Sequence, residues 1–332
     1  MLASYGVRSL GQVGRDVGKI LSSWRGAEGF DLDLTSAGLL RPDLSLAAYA
    51  GRIPSDGRAP IYNLFDRTGG GQTMQTRVTR RRMRDYRGGR LSYDDHDGTD
   101  FVCPPGTPLV AAAPGTLVAV RDNWIGGGLS AMIDHGRGVV TQYSHLRRLL
   151  VEVGAPLVRG EAVAESGTSG IDLLVGAPWV PPHVHFTVWV RGRPVDPYRA
   201  AGESPHPGLW MDGNDPTPAR GAHASDPSPE LEADDYDARA IDEVIDACRD
   251  VPTREELRRA SSPAMAAALL DDRMHRDRRF WPERARQIAL RRPADASEVK
   301  LTLPLPKDRY VGARCGDVPW TRALPLKRDP FD

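Results

Sequence analysis

Cysteine is scarce in this chain. The three residues present, Cys103, Cys248 and Cys315, lie far apart and are odd in number. That leaves no disulfide framework and no Cys-x-x-Cys metal knuckle to propose, and thiols so placed are expected to behave as small buried hydrophobes. No run of about eighteen apolar residues occurs, so no membrane-spanning helix is expected. Net charge is missing too: 44 Lys and Arg balance 44 Asp and Glu, leaving no overall field to draw the molecule onto nucleic acid or acidic polymers. Met1–Gly26 interrupts its apolar residues with Arg8, Arg15, Asp16 and Lys19, and so lacks the apolar core of a secretory signal.

With 40% hydrophobic and 27% charged residues, the 332-residue chain can bury a core. Its length favours about two domains. Short amphipathic stretches such as Val17–Trp24, separated by Gly and Pro, make residues 1–84 an extension whose role is not legible. Seven arginines between Arg77 and Arg90 form a local basic patch, which without a recognised binding fold is read as a solvated strand and turn. No nucleic-acid partner is expected.

From residue 85 to 200 the texture is one of short β-branched runs broken by Gly and Pro: Pro108–Ala112, Gly115–Val120, Ala131–Ile133, Val139–Tyr143 and Val184–Val190. Such runs predict an antiparallel sheet or sandwich. Residues 201–235, rich in Pro, Gly, Asp and Ser, have few apolar groups to bury and are expected to be a linker. Residues 236–332 read as mainly helical. Ile241, Val244, Ile245 and Cys248 are spaced for one face, Thr253–Glu256 resembles a helix start, and Pro252, Pro263, Pro282 and Pro293 cut the region into short helices. An extended tail follows, in which Leu301, Leu303 and Leu305 alternate. The expected class is α+β, a mainly β domain followed by helices.

Chemistry concentrates in the β segment. His96 and Asp100 occur in H-D-G-T-D, His145 in Y-S-H-L, and His183 and His185 in P-H-V-H-F. Residues two apart in a strand point to the same face, about 6.5 Å apart along it, so His183 and His185 are able to look into one site. Gly98, free in φ, is expected to let His96 and Asp100 converge. Two imidazoles and one carboxylate make a three-ligand set with an open fourth position, the pattern of catalytic zinc, which lowers the pKa of a bound water to about 7. The remaining imidazoles suit proton transfer because their unperturbed pKa of about 6.5 lies near the working pH. His135 is read as a structural turn or site-wall residue, and His206, His223 and His275 as surface residues.

These motifs, in this order, resemble those of the lysostaphin and LytM type of zinc endopeptidases, which cleave peptidoglycan. H-D-G-T-D-F is similar to that family's opening metal motif, V-A-A-A-P-G-T-L-V-A-V to the strand pair after it, and I-D-H-G-R-G-V-V-T-Q-Y-S-H-L to its central block. G-A-P-L-V-R-G-E-A-V-A-E-S-G-T-S-G, P-P-H-V-H-F-T-V and V-D-P follow in order. The resemblance covers roughly residues 85–198. It implies a β domain with a metal-floored groove, Zn2+ held by His96, Asp100 and His185, and proton transfer by His183 with His145 as its partner. It further implies peptidoglycan stem peptides or cross-bridges as substrate, and a location outside the cytoplasmic membrane, although no secretory signal is visible. A tyrosine upstream of the first ligand often stabilises the oxyanion in this family; Tyr86 and Tyr93 are the candidates. The segment Ile171–Pro182 is longer than usual and carries Trp179, so it either walls the groove or decorates the surface.

A nucleic-acid role resting on Arg77–Arg90 ranks third among the alternatives, and two other classes compete ahead of it. One is a catalytically silent wall-binding or hydrolase-activating module of the same fold. The other is a cupin-like oxygenase, which also presents His-x-His on a strand but expects a Glu shortly after it, and Phe186–Pro194 contains none.

Overall fold

Alternation along each strand decides how the layers stack. A computed structural model describes residues 39–69, 84–89, 95–123, 127–170, 176–204 and 208–315; Tyr93, His206 and all of the arginine-rich stretch except 84–89 lie outside them. Within the described residues one mainly antiparallel sheet is built from eleven strands. They are β1 (Arg58–Asn63), β2 (Thr99–Val102), β3 (Pro108–Val110), β4 (Gly115–Asn123), β5 (Gly128–Asp134) and β6 (Val139–Leu149), then β7 (Pro156–Leu157), β8 (Ala162–Ser166), β9 (His183–Val190), β10 (Arg193–Val195) and β11 (Gly312–Cys315). The order is β11-β1-β2-β9-β6-β5-β4-β7, with β10 beside β9 and β8 bridging β3 and β6. Only β1 and β11 run parallel within it.

Successive side chains of a strand point to opposite faces. Leu117, Ile133, Val139 and Val188 accordingly enter a large core with Phe101, Tyr143 and Phe186, while their neighbours Val118, Met132, Val140 and Trp189 enter a second. That second core is closed by the helical region: α2 (Ala238–Asp246), α3 (Val251–Leu257) and α4 (Pro263–Arg276) contribute Ile241, Val244, Ile245, Leu257, Leu269 and Leu270. A short helix α1 (Pro42–Tyr49) precedes the sheet. The fold is α+β, as expected, and no helix of the described residues is long and apolar enough to cross a membrane.

The helix starts differ from the sequence reading. Asp250, not Thr253, caps α3, its side chain accepting from the Thr253 amide. Pro252 and Pro263 sit in the first turns of α3 and α4, where proline's missing N–H costs nothing; they open helices rather than cut them. The polar stretch after residue 200 lies along the β domain, with Leu209 and Trp210 buried in the large core. Leu301 bridges Trp210 and Leu303 bridges Pro218, both in parallel fashion. Leu301, Leu303 and Leu305 are fully buried in that same core, which supplies the partner that the alternating tail lacked in sequence.

Candidate metal centre

Three neighbouring strands carry the site. β2 pairs with β9 so that Asp100 stands opposite His185, and β6 on the other side of β9 sets Ser144 opposite His185. His96 lies just ahead of β2. Its backbone carbonyl accepts from the Asp66 amide at 2.9 Å, and its ring Nδ1–H donates to the Leu64 carbonyl at 2.7 Å. That bond turns His96 Nε2 inward, 3.1 Å from His185 Nδ1 and 3.2 Å from Asp100 Oδ2. Asp100 Oδ1 is 2.8 Å from His185 Nδ1, and Asn63 of β1 donates to Asp100 Oδ2 at 2.9 Å. One donor atom from each of His96, Asp100 and His185 lies within 4.8 Å of the others, and all three residues are buried.

Gly98 works differently from the expectation. Its φ is not in the left-handed region; Asp95, at φ 58°, makes that turn. A Cβ on Gly98 would lie 2.8 Å from the Phe186 carbonyl oxygen and 2.9 Å from His185 Cε1. Glycine is therefore required here for space, to let the His96–Asp100 segment press against the His185 ring.

His145 and His183 stand beside this cluster. His145 has a φ of 62° in the middle of β6, a conformation costly for a non-glycine residue and concentrated at functional sites. The register between β5 and β6 slips there, Leu129 opposing Leu146 but Ala131 opposing Tyr143. The extra residue re-aims the side chain. The His145 and His183 rings meet edge to face at 4.9 Å, and those of His145 and His185 at 6.1 Å. His145 Nδ1–H donates to the Ser169 carbonyl and His183 Nδ1–H to the Pro181 carbonyl, each at 2.7 Å. Both rings thus present Nε2 as their acceptor, and His183 Nε2 is 3.6 Å from Asp100 Oδ1. His96, Asp100, His145, His183 and His185 are each 4% exposed or less.

Electrostatics favour a cation at this place. Burial alone would raise the Asp100 carboxyl, but the imidazoles of His183, His96 and His185 hold it well below the usual carboxylate range. Burial likewise opposes a charge on His185, yet Asp100 and Asp97 raise that imidazole to about 10. The two inward-facing imidazole nitrogens, 3.1 Å apart beside a buried carboxylate, share either a proton or a metal cation, and a cation takes the place of the proton when it binds. The donor set, nitrogen and carboxylate oxygen, is one that zinc accepts.

Sequence reasoning missed several neighbours. Asp97 accepts from His185 Nε2 at 2.9 Å; its position next to His96 in H-D-G-T-D was the signal. Tyr62 places its ring 5.4 Å from that of His183 and donates from its hydroxyl to the Leu39 carbonyl. Tyr86, by contrast, stacks on Tyr198 at 4.4 Å against the large core. His275 is not a surface residue: its side chain is 9% exposed and its Nε2 lies 3.3 Å from Asp97 Oδ2. His135 is structural, donating to the Pro114 carbonyl and accepting from the Thr141 hydroxyl, and His223 is exposed. Of the long segment before His183, residues 176–182 are described: Trp179 is exposed, and α1 docks there through the Arg41 amide on the Trp179 carbonyl and the Ser45 hydroxyl on the Val180 carbonyl.

Comparison with known proteins gives a consistent result. Residues 94–197 match the model of Peptidase family M23. The peptidoglycan DD-endopeptidase ShyA of Vibrio cholerae is 37% identical over 105 residues, which are 32% of this chain and 23% of that protein. The DD-carboxypeptidase/endopeptidase Mpg of Neisseria meningitidis is 33% identical over 111 residues, 33% of this chain and 24% of that one. Among solved structures, the catalytic domain of lysostaphin from Staphylococcus simulans is 29% identical, with 31% of this chain and 75% of that one covered and a TM-score of 0.27. The chain spans about a quarter of the length of these two curated relatives.

Proposed function

We propose that this chain, an M23 peptidase of the lysostaphin and LytM type over residues 94–197, is a zinc-dependent endopeptidase that hydrolyses the peptide cross-links of bacterial peptidoglycan. The observation that carries this reading is the convergence of His96, Asp100 and His185 with two further histidines set beside them. A bound zinc ion would supply an activated water and a Lewis acid for the carbonyl under attack.

The residues of the chain have distinct tasks in this scheme. His96 offers Nε2, His185 offers Nδ1, and Asp100 offers a carboxylate oxygen, steadied by Asn63. His183 and His145, fixed through Nδ1 on main-chain carbonyls, hold Nε2 ready to accept a proton from water and to return one to the leaving amine. Their edge-to-face contact keeps both within reach of one reacting centre. Curated relatives include the peptidoglycan DD-endopeptidases ShyA and ShyB of Vibrio cholerae, which makes D,D-cross-linked stem peptides the first substrate to test. Such a substrate puts the site of action in the cell envelope.

The test is incubation of the zinc-loaded protein with defined D,D-cross-linked peptidoglycan fragments, with products identified by mass spectrometry. Cleavage is expected from the native chain and its loss, by at least about 100-fold, from His183→Ala, in line with the contribution of a positioned acid or base. Chelation is expected to abolish turnover and added zinc to restore it. Identical product profiles from the native protein and His183→Ala would sink the enzymatic reading and leave the silent wall-binding module.

A further inference from the structure

His183, His185, Thr187 and Trp189 alternate along β9 and therefore share one face of the sheet. That is the face on which the helices pack, with Trp189 in the core they close. The metal centre and the helical layer are thus neighbours on a single surface. The end of α4 reaches the boundary between them: the His275 ring lies edge-on to Trp189, centroids 5.3 Å apart at 87°, and its Nε2 is 3.3 Å from Asp97 Oδ2. The other oxygen of Asp97 is 2.9 Å from His185 Nε2.

We infer that His275 is a positioning residue for the metal centre, holding Asp97 so that Asp97 in turn fixes the orientation and tautomer of His185. The inference rests on the zinc reading above. His185 faces Asp100 and His96 through Nδ1, so its proton belongs on Nε2, where Asp97 Oδ1 accepts it together with the Thr187 hydroxyl oxygen at 3.0 Å. A carboxylate that receives a ligand imidazole's second N–H sets both ring angle and tautomer, and such outer partners are worth about 10- to 100-fold in metal affinity. Asp97 Oδ2 and His275 Nε2 have no hydrogen-bond partner elsewhere among the described residues. The 3.3 Å approach of His275 Nε2 to Asp97 Oδ2 holds the carboxylate at its free end. The helix end that carries His275 is itself anchored: Arg276 pairs with Asp272 at 2.8 Å, and Asp272 also pairs with the buried Arg121 of β4. A segment lying beyond the matched region 94–197 therefore reaches a metal ligand through one intervening side chain.

Zinc affinity of the full chain, measured by competition with a chromogenic chelator, tests this alongside the visible spectrum of the cobalt-substituted protein. His275→Phe keeps a ring against Trp189 and removes Nε2; His275→Gln keeps a donor. His275→Phe is expected to weaken zinc binding about 10- to 100-fold and to alter the cobalt spectrum, with His275→Gln recovering most of both. Combining His275→Phe with Asp97→Asn is expected to cost little more than Asp97→Asn alone, because the two act in series. Affinity within about twofold of native for His275→Phe, with an unchanged cobalt spectrum, would overturn the inference. So would equal losses in the Phe and Gln variants that track a fall in the melting temperature of the metal-free proteins, since that pattern is packing alone. A native chain that takes up no zinc would remove the metal-centre reading itself, a different failure from variants that bind as the native chain does.

Discussion

Leu303→Ala offers a quantitative test of how the sheet's large core is completed. Leu303 is fully buried in that core, and truncating a buried leucine costs about 2–5 kcal/mol, more where the surroundings cannot collapse into the space. Here they are pinned. The Leu303 amide donates to the Thr217 carbonyl at 2.8 Å, and the adjacent Thr302 binds the Ala112 carbonyl through its amide at 2.8 Å and its hydroxyl at 2.9 Å. A backbone held from both sides cannot move in to fill the cavity, which puts the expected loss at about 3–5 kcal/mol. Urea unfolding of metal-free protein, followed by circular dichroism, is the assay; at a slope of about 3 kcal/mol/M the midpoint falls by at least about 1 M. Leu46→Ala on α1 is the control, since Leu46 is 55% exposed and surface changes stay within about 0.5 kcal/mol. A loss below about 1 kcal/mol for Leu303→Ala would refute the claim that the tail is part of this core.

Three further outcomes are expected. Asp100→Asn removes the carboxylate charge shared by His96 and His185, so zinc affinity should fall by more than the about 100-fold that outer partners cost; near-stoichiometric zinc after dialysis would contradict it. Gly98→Ala should push β2 from the His185 ring, given the 2.8 Å approach to the Phe186 carbonyl oxygen, with about 1–3 kcal/mol of destabilisation and weaker zinc binding; unchanged unfolding and metal uptake would count against the steric reading. For His135, burial pushes the imidazole down to about 4 despite its bond to the Pro114 carbonyl. The folded state thus holds the neutral ring, a contribution of about 3 kcal/mol that is fully present above pH 6.5 and lost as pH falls from there to about 4. Urea midpoints of the native protein should drop more steeply over that interval than those of His135→Gln, and parallel curves would refute the assignment.

Much of the β domain was readable because its information is local. Runs such as Val139–Tyr143 and Val184–Val190 carry their strand character in consecutive residues, and His183 and His185 announce a shared face by spacing alone. What escaped detection is long-range. His275 lies in a helix whose charged sequence reads as solvent-facing, and only the packing of α4 against Trp189 brings it to Asp97. Leu209 and Trp210 are two apolar residues in a polar stretch, too few for a composition argument, yet they fill a gap that Leu301 and Leu303 close from the far end of the chain. Gly98 was flagged for the wrong property, since sequence cannot distinguish a glycine chosen for its dihedral from one chosen for the missing Cβ. Asp250 was overlooked as a cap because the stronger-looking Thr-x-x-Glu pattern sits three residues later.

The parallel pairing of β1 with β11 has a consequence for the order of events during synthesis. β1 carries Asn63, the partner of Asp100, and it lies between β2 and a strand that begins only at Gly312. A nascent chain has residues 58–63 from early on but must wait some 250 residues for the strand that closes their outer edge, and nearly as long for Leu301, Leu303 and Leu305. Contacts so distant in sequence form late. The outer support of the metal centre thus emerges from the ribosome some 250 residues after β1, and the site acquires that support only once residues 301–315 have been made.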